Sequence, residues 1–289
     1  MFELEKPLQK SNFRRKLGKE IYILKRKFDN LISKENFSKQ YSENFEINHS
    51  VFKHNSMILR PLKDVEMYLQ HNKKRNLELA IAKINNTIIY PNEIFSLWNL
   101  VGKPTAEKGY LEGLILNQGK IDKGIGGGMC QLGNLLFWIF AHSPLKITER
   151  HRHSFDVFPD VNRKIPFGAG ATLSYNYIDF RVKNTTENIF RIRLWIENDY
   201  LFGELFSLEK INSTFKIEER NHIVKQQFWG GYSRHNQIFK IETDEFGNSM
   251  ESLLIENHAL MMYNPFLENK KNPSRNLMRR IFFERIFNF

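Results

Sequence analysis

The run Lys123-Gly124-Ile125-Gly126-Gly127-Gly128-Met129-Cys130-Gln131 constrains this chain more than any other stretch. It ends on the chain's one cysteine and leads directly into Leu132-Gly133-Asn134-Leu135-Leu136-Phe137-Trp138-Ile139-Phe140-Ala141, apolar enough for a buried helix. The glycines at 126–128 lack a Cβ, so they can adopt left-handed backbone and bring N–H groups close to a bound group. A helix beginning near Cys130 puts the thiol at the positive end of the helix dipole, which favours thiolate. His151 and His153 follow in Glu149-Arg150-His151-Arg152-His153-Ser154. These are the parts of a cysteine nucleophile with a base nearby. The same cysteine also fits a small buried core residue, a common role for a free thiol.

A chain of 289 residues can bury a substantial core, and its 25 Phe ask for one. A single cysteine excludes an internal disulfide framework. No apolar run reaches the ~20 residues of a membrane-crossing helix. The N-terminal Met1-Phe2-Glu3-Leu4-Glu5-Lys6-Pro7 does not read as a secretory leader, so the sequence points to a cytoplasmic protein or one peripheral at the cytoplasmic membrane. The net charge of +11 sits at the ends. Residues 1–40 hold 11 Lys/Arg against 5 Asp/Glu, and residues 269–289 hold 6 against one Glu. Such ends suit an anionic membrane face, or serve simply to keep the chain in solution.

Phe13, Leu17, Ile21, Leu24, Phe28 and Ile32 recur at helical spacing among Lys and Arg, a basic amphipathic helix. Its stripe can lie on a membrane or dock on the protein's own core. A short strand is expected near Ser56–Leu59 and a helix over Asn76–Ile84. Strands follow at Ile88–Tyr90, Glu93–Trp98 and Leu114–Leu116. Pro144 closes the central helix. From there the period becomes two: Leu173, Tyr175 and Tyr177, then Phe190, Ile192, Leu194 and Ile196, read as strands joined by a hairpin loop at 184–188. Gly203–Leu208, Ile238–Thr243 and Met250–Ile255 add more, the last two around a turn at Phe246-Gly247-Asn248. The class is α+β, with helices in the N-terminal half, an antiparallel β-sheet in the C-terminal half, and the glycine loop feeding a central helix that starts at the cysteine. The organisation read is a basic helical region over 1–40, one domain over 41–268 and a basic tail over 269–289.

Several runs together resemble the VanW family. They are Tyr90-Pro91-Asn92-Glu93-Ile94-Phe95-Ser96, Val101-Gly102, Gly109-Tyr110, Gly126–Leu132, Glu149–Ser154 and Tyr177-Ile178-Asp179-Phe180-Arg181-Val182-Lys183-Asn184. The likeness spans about residues 75–200, and Phe228–Asn236 and Glu256–Tyr263 look like the short, stand-alone form. The resemblance implies a link to the cell wall and to glycopeptide resistance. Some larger, secreted members are understood to be L,D-transpeptidases that cross-link peptidoglycan stem peptides. Carried over on that basis, Cys130 is the nucleophile and His153, with His151 beside it, the base. Arg150 and Ser154 would hold substrate, and backbone N–H groups from Gly127 and Gly128 to Gln131 would form the oxyanion hole. Secreted members usually read Gly-x-Asp-Ala where this chain has Gly168-Ala169-Gly170-Ala171. Asp179 or Asp156 would then orient the base.

Other readings compete. His151, His153 and Cys130 could hold zinc, but no second cysteine supports the site, so no metal or other cofactor is expected. His235 and His258 read as surface polar or satisfied core residues. The glycine run lacks the Lys-Ser/Thr of a phosphate-binding loop. A non-catalytic accessory that binds a peptidoglycan precursor or a membrane partner is the alternative from another class. The neutral middle of the chain argues against nucleic acid as a partner.

Overall fold

A computed structural model describes residue 4 and residues 11–40, 46–60, 65–117, 119–152, 154–157 and 165–266. His153 and the basic tail at 269–289 lie outside them. In chain order come α1 (Asn12–Ile32), β1 (Lys39–Gln40), β2 (His49–Met57), α2 (Met67–Ile84), β3 (Thr87–Ile89), β4 (Ile94–Ser96), α3 (Leu97–Val101), β5 (Glu112–Asn117), β6 (Lys120–Ile125) and α4 (Cys130–Ala141). Only strands follow: β7 (Lys146–Glu149), β8 (Phe155–Asp156), β9 (Arg181–Lys183), β10 (Phe190–Glu197), β11 (Tyr200–Ser207), β12 (Thr214–Gln226), β13 (Tyr232–Thr243) and β14 (Ser249–Met261). The α+β class holds, with every helix of the described residues before residue 142. None of those helices is long and apolar enough to cross a membrane.

The strands form a five-stranded sheet ordered β1-β3-β10-β11-β2, a four-stranded sheet β12-β13-β14-β8, a three-stranded sheet β4-β9-β7 and the hairpin β5-β6. Pairing is antiparallel except between β8 and β14. The alternation in β10 does what period two requires, burying Phe190, Ile192 and Leu194 on one face. α4 lies against that sheet because nearly all its sides are apolar, with Leu132, Leu135, Leu136, Phe137, Ile139 and Phe140 each 2% exposed or less. Gly203 on β11 makes room for it. A Cβ there would stand 2.6 Å from Ile139 and 3.2 Å from Leu135. The core therefore encloses the helix that begins at Cys130.

Several elements differ from the sequence reading. The strand expected near Ser56 ends at Met57 and starts at His49, and the helix expected from Asn76 starts at Met67. Leu97 and Trp98 turn helical rather than extending β4, because the Ser96 hydroxyl caps the Asn99 N–H. Leu173, Tyr175 and Tyr177 do not form a strand. Ser174 and Ile178 close a tight loop in which Asn176 sits at φ 47°. Tyr175 packs edge-on against Trp98 and Tyr177 against Tyr22, so the alternation reflects separate anchors. The 184–188 loop joins β9 and β10, which lie in different sheets, so it is no hairpin turn. β6 and β12 had not been expected at all.

Candidate functional site

The β5-β6 hairpin delivers the chain into a glycine turn at 126–128 that is held from three sides. The carbonyl of Gly127 accepts from the Asn76 side chain at 2.9 Å, and Asn76 also grips both backbone groups of Leu111. Gly127 and Gly113 meet backbone to backbone, where a Cβ on Gly127 would lie 2.2 Å from the Gly113 carbonyl carbon. Gly128 has φ +94°, and the aliphatic stem of Lys73 occupies the space its side chain would fill, 2.2 Å from the Cβ position. No other residue type fits such a turn.

This turn sets up the first turn of α4. The Gly127 N–H donates to Gly124, the Gly128 N–H to Leu114 and the Gln131 N–H to Gly128, which removes all three from the expected oxyanion hole. The N–H groups of Met129 and Cys130 have no carbonyl acceptor among the described residues. They flank the thiol and are the donors that remain. The Gln131 side chain is spent on α4's anchorage, donating to the Ser56 hydroxyl and the Met57 carbonyl, both at 2.9 Å.

Cys130 is part-exposed, and its sulfur stands 4.0 Å from the Leu173 carbonyl. Burial pushes the thiol pKa up. Desolvation of the charged form outweighs the backbone hydrogen bonds that lower it, which favours the thiol rather than the thiolate expected from the helix start. Only the protonated sulfur can donate to Leu173. The residues 168–173 lie across this end of α4 as a strap. Ala171 N–H donates to Asn134 Oδ1 at 2.9 Å, Thr172 N–H donates to the His151 carbonyl at 2.9 Å, and the Ala171 carbonyl would touch a Cβ at Gly133. The strap therefore brings the two motif runs, Gly126–Cys130 and Glu149–Ser154, into one neighbourhood.

Within the second run the expected roles change. Arg150 turns its fork on neutral acceptors: Nε donates to the Gly170 carbonyl at 2.7 Å, Nη2 donates to the Gly168 carbonyl, and Asn257 Oδ1 lies at 3.4 Å. It fastens the strap, so those donors are not offered to a substrate carboxylate. Burial first, and the Arg152 charge second, lower its pKa to about 9. His151 is exposed, with Nε2 3.6 Å from Glu149. Ser154 is exposed and its carbonyl accepts from Leu260, tying the run to β14. His153 lies outside the described residues.

Asp179 has no acceptor left to orient a base. Its Oδ1 accepts from the N–H of Trp98 at 3.0 Å and of Phe180 at 2.8 Å. Its Oδ2 accepts from the Ser96 hydroxyl at 2.6 Å and Arg181 Nε at 3.0 Å. The carboxylate caps α3 and joins it to β9. Asp156 accepts from the Tyr263 hydroxyl and faces Arg234. His235 and His258 are linked Nδ1 to Nδ1 at 2.7 Å, with the Ser233 hydroxyl on the far side of His235. Among the described residues no three His, Cys, Asp or Glu side chains group around a metal position.

Lys73 was missed in the sequence. Burial, and then the charge of Arg60, pull its pKa down to about 8. Its only signal was a helical offset of three from Asn76 on α2, visible once that helix is known to start at Met67.

The family described as "VanW like protein" matches residues 72–206, a span holding the glycine turn, Cys130, the Glu149–Ser154 run and Asp179. Over residues 72–206 the chain is similar to the VanW family. The vancomycin B-type resistance protein VanW of Enterococcus faecalis is 35% identical over 173 residues, 60% of this chain and 60% of that protein. The uncharacterized protein YoaR of Bacillus subtilis is 32% identical over 154 residues, 53% of this chain and 49% of that protein. The chain thus spans about half to three fifths of the length of these curated relatives. No solved structure matches. Within the VanW region, the departure at Gly170 has a local cause. A Cβ at 170 would stand 2.2 Å from Asn134 Oδ1. The neutral amide of Asn134, projecting from α4, fills the space an aspartate would need there.

Proposed function

We propose that this VanW-like protein is a cysteine-dependent acyltransferase of the L,D-transpeptidase type, acting on peptidoglycan stem peptides in the glycopeptide-resistance setting named for its enterococcal relative. The observation that carries the reading is the one thiol of the chain at a helix start built by the glycine turn, where the N–H groups of Met129 and Cys130 have no carbonyl acceptor among the described residues. That arrangement suits a tetrahedral oxyanion formed on attack by Sγ. In the reaction, a base from the Glu149–Ser154 run takes the thiol proton. The sulfur attacks the carbonyl carbon of the third stem residue, a C–S bond forms, and the peptide C–N bond to D-Ala breaks. The departing amine takes the proton from the same base. The amine of a second stem then attacks the thioester, forms the new amide and returns the thiol. Lys73, with its stem on Gly128, supplies a cation near the loop for a stem carboxylate.

One observation favours a second reading, a non-catalytic accessory that binds a wall precursor. Burial raises the Cys130 pKa where a nucleophile would need it lowered. Intact-protein mass spectrometry after incubation with a tetrapeptide-stem muropeptide separates the two. The acyltransferase reading expects an adduct of the tripeptide stem on the wild type and none on Cys130→Ala. Muropeptide bound without any covalent adduct, and bound equally by Cys130→Ala, establishes the accessory instead.

A further inference from the structure

The stripe read from the sequence of α1 does not dock on the protein. Phe13, Leu17, Ile21, Leu24, Phe28 and Ile32 are each more than half exposed, and Leu31 beside them is 82% exposed. The helix is held to the body by its other side. Ile23 is buried, Arg26 makes a two-pronged ion pair with Glu149 at 2.5 and 2.8 Å, and Asn30 accepts from Arg181 at 2.9 Å. Tyr22 packs on Tyr177 with ring centres 5.3 Å apart. At 100° per residue Ile23, Arg26 and Asn30 lie opposite the stripe. The orientation is therefore fixed by polar contacts that turn the apolar face outward.

We propose that α1 seats this protein on an anionic lipid bilayer, its outward apolar face entering the headgroup boundary and its flanking cations meeting acidic lipid. Charge complementarity selects this occupant. α1 carries seven Lys/Arg against Glu20 and Asp29. Arg14 and Lys25 border the stripe on one edge and Lys27 on the other, all three exposed. A helix with a polar, basic side and large apolar residues opposite is built to lie in the plane of a membrane interface. It is not built to cross one. A second copy of the same face fits worse, because pairing two stripes in water would bring their bordering cations together. The ion pair to Glu149, two residues before His151, would hold the Glu149–Ser154 run close to the lipid surface. None of this depends on whether Cys130 is a nucleophile.

The test is cosedimentation of the full chain with phosphatidylcholine vesicles, with and without about a third phosphatidylglycerol. Wild type is expected to bind the acidic vesicles and to be released by high salt. The variant L17E/F28E should lose at least ~10-fold in partitioning, and K25E/K27E a similar factor at low salt. Both variants alter exposed side chains, so their thermal unfolding should match wild type. Three results overturn the proposal. One is no binding of wild type to acidic vesicles. Another is undiminished binding of L17E/F28E, which would place the lipid contact elsewhere, such as the basic residues after 268. The third is a wild-type dimer in sedimentation that L17E/F28E dissolves without any lipid binding.

Discussion

Asp179→Asn gives the sharpest test of how this site is built. In the wild type Oδ1 takes two backbone N–H groups, while Oδ2 takes the Ser96 hydroxyl and the Arg181 guanidinium, all in a fully buried position. Asparagine can keep the two backbone donors on its oxygen. Its amide nitrogen must then face two donors, and Arg181, only 8% exposed, loses its nearest charge partner. Glu149 at 3.5 Å and Glu35 at 3.9 Å remain, so the guanidinium is not stranded. Breaking a buried ion pair on one side costs about 3–5 kcal/mol. With a urea slope of about 3 kcal/mol per molar, the unfolding midpoint should fall by about 1–1.7 M. Trp98 is the reporter, since its backbone N–H bonds the side chain at 179 and its fluorescence follows α3. A shift under about 0.3 M, or about 1 kcal/mol, would refute the structural role. If such a small shift came with abolished turnover of stem peptide, Asp179 would belong to the chemistry after all.

Two further outcomes are expected. Lys73 should titrate near pH 8, read from the lysine Cε chemical shift, and Lys73→Met should leave the unfolding free energy within about 1 kcal/mol of wild type because Lys73 makes no ion pair among the described residues; titration above 10 would contradict its partial burial. His54, His142 and His235 all have lowered pKa values, burial being the first cause in each. Below about 6.5 the unfolded chain therefore holds more protons than the folded one. The histidine contribution to stability should be full above pH 7 and decline as pH falls through 6.5 toward the lower folded values; equal unfolding midpoints at pH 7.5 and 5.5 would contradict this.

What was legible in the sequence follows from how local its cause is. The glycine turn, the helix starting at Cys130 and β10 could be read because each depends on its own spacing: three glycines, a dozen mostly apolar residues, a strict alternation. The alternation at Leu173, Tyr175 and Tyr177 misled because its aromatics answer to Trp98 and Tyr22, far away in the chain. Arg150 and Asp179 were placed in the right neighbourhood with the wrong work. Whether a guanidinium faces a substrate or a backbone carbonyl is decided by residues 168–170, and nothing in the run around Arg150 reveals it. Lys73 was invisible for a related reason, since its partner is a glycine that presents no side chain.

The strap over Cys130 has a kinetic meaning. It is pinned by Arg150 at one end and by the His151 carbonyl near the other, and it is not part of any named strand. The sulfur of the part-exposed Cys130 stands beside this segment, so lifting it should give reagents freer access, and modification would be speeded by local opening rather than by global unfolding. Its rate would then measure an equilibrium between covered and uncovered forms, and a variant such as Arg150→Met would speed modification even though it leaves the cysteine itself untouched.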